Sequence, residues 1–424
     1  MKVKSAGAVG TARRGLVATL AAAALTLVAA CGSSGTGTGG SAVPTDSAPS
    51  NSGPSSSGPS NSAPSAVAGS PGAVRASAAA LTISPGDGAT GVPTSGALKV
   101  AVAQGTLSAV KVTDDDGKEV AGTVTTDGTS WTPAGHLDTG TRYSVTALAK
   151  DAKGLEAAGT ATFTTLSPGS TFSASDNITD KATYGVGMIV SVTFTKPVKD
   201  TKAVEQAITF DTDPPVDVKG HWFGNQRLDF RPQDYWKPGT RVTVKYRLDG
   251  VQSSPGVYGT LTKDEPFAIG RSQISTADAT GLQMAVERDG QTVRSLPITT
   301  GAPEYASWAG TMVISEMARV TRMNSATVGL GAEYDIADVP HAIRLTNSGT
   351  FLHGNYWADS FGRTNTSHGC IGIRDVKGGS ETSDAGWFYN QSLIGDVVKV
   401  VNSKGGQVRP DNGLSGWNLP WTAW

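Results

Sequence analysis

Asp229–Tyr246 reads "DFRPQDYWKPGTRVTVKY", and Trp131–Ala147 reads "WTPAGHLDTGTRYSVTA". Pro133 and Pro232 lie 99 residues apart, and Gly140-Thr141-Arg142 stands at the same distance from Gly239-Thr240-Arg241. One offset shared by two separate matches marks a tandem module of about 100 residues. Tyr143, Val145, Ala147 and Ala149 recur at every second position, as do Val242, Val244 and Tyr246. Period two is the pattern of a half-buried strand, so both copies are predicted to be β.

Asp114–Lys118, "DDDGK", supplies a hairpin turn in the first copy. Its Leu137-x-x-Gly140-x-x-Tyr143 spacing resembles the tyrosine corner of immunoglobulin-like sandwiches. Two sandwiches are therefore expected, over 80–167 and 168–270. Neither holds a cluster of chemically active side chains. His136 and His221 stand alone and are read as surface or packing residues, and the sandwiches as spacers.

The chain is 424 residues long, which fits two or three domains. Its 53 glycines and 22 prolines argue for many turns and against an all-helical protein. A formal net charge of −1 gives no support to a nucleic-acid partner.

Residues 1–30 carry the basic residues Lys2, Lys4, Arg13 and Arg14 ahead of the apolar run Gly15–Ala30. The run is short for a membrane span of about 20 apolar residues and suits a signal peptide. It ends "VAAC", with Cys31 last. This resembles a bacterial lipobox, in which the cysteine is diacylated and becomes the first residue of the mature protein. The alternative is an ordinary cleaved signal that happens to contain a cysteine. From 31 to 79 the chain is rich in Gly, Ser, Pro and Ala, with no aromatic residue. Nothing there can bury a core, so it reads as a disordered tether. Exported proteins usually pair their cysteines. If Cys31 is lipidated, Cys370 has no partner, and an odd thiol of this kind is a candidate reactive group.

After residue 270 the pattern changes. "LQMAVERDGQTVRSLPI" alternates around Asp289-Gly290, a strong hairpin signal. Further β runs are predicted at Met312–Ser315, Ile343–Leu345 and Val397–Val401. One short helix is expected over Ser383–Ser392, capped by Ser383 or Asp384. The third domain, 271–402, is thus mostly β with one short helix. The segment 403–424 ends "GWNLPWTAW", and tryptophans at that density are expected to pack onto the body.

Two of the five histidines share "LHGNYWADSFGRTNTSHGC" (Leu352–Cys370) with the odd cysteine. His368 and Cys370 are two apart, on one face of an extended strand. Cysteine attacks as the thiolate, and only a few per cent is ionised near neutral pH at its ordinary pKa of about 8.5. A neighbouring imidazole supplies the missing base. Two other readings remain open: a buried, inert thiol, and a zinc site of His353, His368 and Cys370. The second lacks a C-x-x-C or H-E-x-x-H spacing.

His353-Gly354, followed fourteen positions on by Ser367-His368-Gly369-Cys370 and then Ile371, resembles the active-site signature of the L,D-transpeptidases. The likeness extends to "FLHG", "DAGWFYN", "GDVVKVV" and "GLSGWNLPWTAW". A lipobox, a tether and two immunoglobulin-like modules resemble the actinobacterial members. The resemblance implies acyl transfer without a cofactor or metal. Cys370 attacks the carbonyl of the third residue of a peptidoglycan stem, D-Ala leaves, and the diamino acid of a second stem attacks the thioester to give a 3→3 cross-link. It also implies carbapenem inhibition and a lipid-anchored position at the outer face of the cell membrane.

The resemblance assigns His353 as base, its ring oriented by a carbonyl such as that of Gly354. Ser367 and His368 shape the site, and the N–H groups of Gly369 and Cys370 receive the oxyanion. Met323 and Tyr334 belong to a flap over the substrate. Two features depart from the family pattern. The position two after the cysteine, usually Arg or Asn, is Gly372, and a Thr-Pro-x-Gly turn is replaced by Ser307-Trp308-Ala309-Gly310. His341 falls in the flap region, where a structural role is preferred over substrate contact. A peptidase using water as acceptor and a non-catalytic wall-binding lipoprotein are the rival functions.

Overall fold

The computed structural model describes residues 75–329 and 331–424. The signal peptide, Cys31 and nearly all of the tether lie outside the described residues.

Each of the first two domains is a pair of four-stranded sheets. Taking the eight core strands of each in chain order, both domains have the sheet orders 1-3-6-5 and 2-8-7-4. The repeated segments occupy equivalent places: Ser130–Pro133 answers Arg227–Pro232, and Arg142–Lys150 answers Arg241–Arg247. Gly140 and Gly239 both have positive φ, 62° and 83°, at the turn into the second of these strands. That backbone region favours glycine, which explains why the Gly-Thr-Arg triplet recurs.

The copies differ at the corner. Tyr143 accepts a hydrogen bond through its hydroxyl from Asp138 N–H at 2.9 Å, the arrangement of a tyrosine corner. In the second copy Val242 takes the equivalent place, and a buried Trp236 donates from Nε1 to Met188 O at 2.8 Å. The second copy also gains a three-stranded sheet and a helix, Thr201–Gln206, which the sequence reading lacked. The helix is capped by Asp200, whose carboxylate accepts from Ala203 N–H. At six residues it is too short to show a 3.6-residue period.

The C-terminal domain is built on a nine-stranded sheet. From edge to edge its strands are Gly310–Val313, Val397–Val401, Gln273–Asp278, Gln283–Arg288, Gln291–Thr299, Ile371–Arg374, Phe351–Asn355, Asp335–Arg344 and Glu316–Asn324. Asp289 and Gly290, both at positive φ, turn the hairpin between Gln283–Arg288 and Gln291–Thr299, as a type I′ turn requires. The helix Asp384–Gln391 begins at Ser383, whose hydroxyl accepts from Gly386 N–H at 2.9 Å. Its Phe388 and Ala385 join Ile298, Ile343, Leu352, Ile371 and Ile373 in one core. That core fixes the two strands that carry the site.

The second sandwich joins this domain intimately. Gly185 and Gly187 N–H donate to the carbonyls of Ile394 and Gly395, both at 2.8 Å. Val313, Leu414 and Trp424 belong to the core of the second sandwich. Arg231 lies among Trp417, Trp421 and Trp424, with its guanidinium carbon 4.3 Å from the Trp424 ring centre.

Candidate active site

Two adjacent parallel strands, Phe351–Asn355 and Ile371–Arg374, carry the site, with His353 paired to Gly372. Side chains alternate along a strand. His353 and Asn355 therefore share the face on which Cys370 and Gly372 lie. This face opens into a cavity of about 400 Å³ bounded by Cys370, His353, Asn355, Trp357, Ser367 and His368. Met323, Tyr334 and Ile336 cover it from the hairpin of Glu316–Asn324 and Asp335–Arg344 at one edge of the sheet.

His353 is 4% exposed. Its Nδ1 lies 2.8 Å from Gly354 O. A carbonyl has no proton to give, so Nδ1 carries the hydrogen and Nε2 keeps its lone pair. Trp357 stacks on the ring, with centroids 5.6 Å apart. Gly354 is needed as glycine here: a Cβ would fall 2.3 Å from Asp375 Oδ2. Asp375 in turn holds His341 Nδ1 at 2.6 Å. His341 is buried behind the strand and does not line the cavity.

Cys370 is buried and is the free cysteine among the described residues. Burial pushes its thiol up to about 11, and burial pushes His353 below the ordinary imidazole value. Both effects favour a neutral thiol beside a neutral imidazole in the ligand-free cavity. The turn before Cys370 is held from three sides. Gly369 adopts φ +109°. Ser367 Oγ donates to Cys370 O at 2.6 Å, and Ser307 Oγ donates to Gly369 O at 2.8 Å. Gly369 N–H reaches Ser367 Oγ at 3.2 Å, a long contact.

His368 takes a different place from His353. It is about one-third exposed, and its Nε2 lies 2.9 Å from Glu333 Oε2 on the flap. Tyr305 donates its hydroxyl to the other Glu333 oxygen at 2.8 Å. The rings of Tyr305 and Tyr334 lie 4.7 and 5.2 Å from that of His368. His368 thus ties the flap to the strand turn. Among the described residues no group of three His, Cys, Asp or Glu side chains is placed to hold a metal ion.

Residues 272–400 match the family described as L,D-transpeptidase catalytic domain, and residues 89–252 match the bacterial Ig domain. Over 350 residues the chain is 34% identical to L,D-transpeptidase 2 of Mycobacterium tuberculosis, covering 81% of this chain and 83% of that protein. The chain belongs to the L,D-transpeptidase family. L,D-transpeptidase 5 of the same organism is 30% identical over 81% of this chain and 76% of its own length. The solved structure of an L,D-transpeptidase in complex with imipenem is 30% identical, with a TM-score of 0.45, covering 54% of this chain and 97% of that one.

In this L,D-transpeptidase several site residues carried no signal in the one-dimensional pattern. Ser307 opens the segment that departs from the family turn, and its hydroxyl holds the Gly369 carbonyl. Tyr305 and Glu333 are 28 residues apart and meet only when the flap folds over. Asn355 and Trp357 sit within the quoted segment and were legible as its neighbours, but not as cavity walls.

Proposed function

We propose that this L,D-transpeptidase forms 3→3 cross-links between peptidoglycan stems, with Cys370 as nucleophile and His353 as base. The observation that carries the reading is the Nδ1–H of His353 on Gly354 O. It leaves a basic Nε2 in the cavity that also holds the Cys370 thiol.

As the donor stem fills the cavity, Nε2 takes the thiol proton and Sγ attacks the carbonyl carbon of the third residue. The negative charge that develops on the carbonyl oxygen is received by the N–H groups of Gly369 and Cys370. The long contact from Gly369 N–H to Ser367 Oγ is one an oxyanion displaces readily. The intermediate collapses, the amine of D-Ala leaves with the proton from imidazolium, and a thioester remains. The side-chain amine of the acceptor stem then attacks, His353 takes its proton, and the thiol is restored. Met323 and Tyr334 cover the donor stem, and the His368–Glu333 contact holds that cover in place. The enzyme acts outside the cell membrane, anchored through a lipidated Cys31, with the first sandwich holding the catalytic body away from the lipid.

A carbapenem tests the nucleophile, because its strained lactam carbonyl resembles the donor amide and its acyl-enzyme has no ready onward acceptor. Intact-mass measurement should show one adduct on the wild type and none on Cys370→Ala. His353→Ala should slow adduct formation by about 10²–10⁴-fold, the usual loss on removing a general base. A mass shift that survives Cys370→Ala would overturn the assignment. For the anchor, Cys31→Ala should release the protein from the membrane fraction.

A further inference from the structure

The place two residues beyond the nucleophile is Gly372, which brings no polar group to the cavity face. The structure shows why no larger residue stands there. A Cβ on Gly372 would lie 2.9 Å from Thr299 Cγ2 and 3.3 Å from Asn355 Nδ2. The Asn355 carboxamide, reaching across from the neighbouring parallel strand, occupies that space.

The orientation of this carboxamide is settled by its neighbours. Its Oδ1 accepts from the backbone N–H groups of Trp357 and Ala358, both at 3.1 Å. A flipped amide would point N–H hydrogens at two N–H donors, so Oδ1 must face the turn. Nδ2 then finds no acceptor among the described residues. Asn355 is 4% exposed and lines the cavity beside His353 and Cys370. The Nδ2 amide is thus a free donor at the cavity wall, open to the space a donor stem would fill.

We propose that Asn355 is a specificity-determining residue that donates from Nδ2 to a carbonyl or carboxylate oxygen of the donor stem, supplying from the adjacent strand the polar contact that Gly372 lacks. This rests on the transpeptidase reading above. The contact is made to the bound stem and not to the thiol, so it acts mainly on KM. One hydrogen bond of this kind changes kcat/KM by about 2–10-fold.

The test uses the folded protein with a soluble tetrapeptide donor and an amine acceptor. Asn355→Ala should lower kcat/KM for the donor by about 3–10-fold, mostly through KM. Alkylation of Cys370 by iodoacetamide, which carries no stem, should stay within about twofold. Asn355→Asp keeps an acceptor for Trp357 and Ala358 N–H but removes the donor. It should retain the melting temperature and still lose kcat/KM. Asn355→Ala combined with Gly372→Asn and Thr299→Ser moves the carboxamide to the other strand, and should recover most of the loss. The serine keeps the Oγ bond to Thr364 O while removing the crowding methyl. Wild-type kcat/KM in Asn355→Asp, or an alkylation rate that falls in parallel in Asn355→Ala, would overturn the proposal. Absence of any cross-linked product from the wild type would instead overturn the transpeptidase reading.

Discussion

The two sandwiches share one strand order but stand in different relations to the rest of the molecule. The first meets the second through a narrow junction. Thr94 Oγ1 donates to Gly250 O at 2.7 Å, and Gly250 approaches Leu137 O so closely that a Cβ would lie 2.1 Å from it. Their hydrophobic cores stay separate. The second sandwich shares its core with Val313, Leu414 and Trp424. Arg227 donates to the carbonyls of Asp411 and Gly413 at 2.7 and 2.6 Å, and Arg231 donates to Leu419 O at 2.9 Å. Two copies of one strand order thus make very different contacts with the rest of the molecule. The first keeps a core of its own, whereas the second shares its core with the catalytic domain, which the reading of both as spacers did not anticipate.

The largest effect that would break this contrast comes from truncation. A chain starting near Ser167 should melt cooperatively and keep its carbapenem adduct. One starting at Gln273 exposes the apolar face that the second sandwich covers, and should aggregate or fail to fold. Circular dichroism and intact mass on both would decide. Equal behaviour of the two would show that the second junction is no stronger than the first.

Trp424→Ala should be next in size. The indole is 4% exposed, stacks on His221 with centroids 5.1 Å apart, and donates to Lys219 O at 2.8 Å. Removing a buried tryptophan costs about 3–5 kcal/mol, read by chemical denaturation. Thr94→Ala, at the first junction, should cost only about 1 kcal/mol, the worth of one hydrogen bond. It should leave the carbapenem adduct unchanged.

The smallest effect is a pH dependence at the second junction. Burial holds the His221 imidazole below its ordinary value of 6.5. The folded state therefore favours the neutral ring, and the associated stability is present above pH 6.5 and lost as pH falls below it. His221→Phe keeps an aromatic ring against Trp424 and removes the titration. Melting curves between pH 7.5 and 5.5 should drop less for this variant, by about 1 °C. A steeper drop in the variant would reverse the sign of the argument.

Much of the fold was legible because it is written in local terms. Strand alternation, the Asp289-Gly290 turn and the Ser383 cap each depend on a few consecutive residues and the backbone angles they prefer. The 99-residue repeat was visible because both copies need glycine at one positive-φ turn. His353 and Cys370 could be paired because they stand on neighbouring strands inside one quoted segment. The helix Thr201–Gln206 left no such trace, since fewer than two turns give no periodicity to detect.

By itself, then, the sequence determined the order of β modules, the thiol and imidazole that share one segment, and the family signature around them. Only the tertiary structure decided which sandwich is structural to the enzyme, that His368 binds the flap through Glu333 and not the thiol, that His341 lies behind the sheet on Asp375, and that Asn355 fills the space beside Gly372. The physical reason is the same in each case. These are contacts between side chains far apart in the chain or on neighbouring strands, and their energies depend on burial, register and direction, none of which a linear pattern contains.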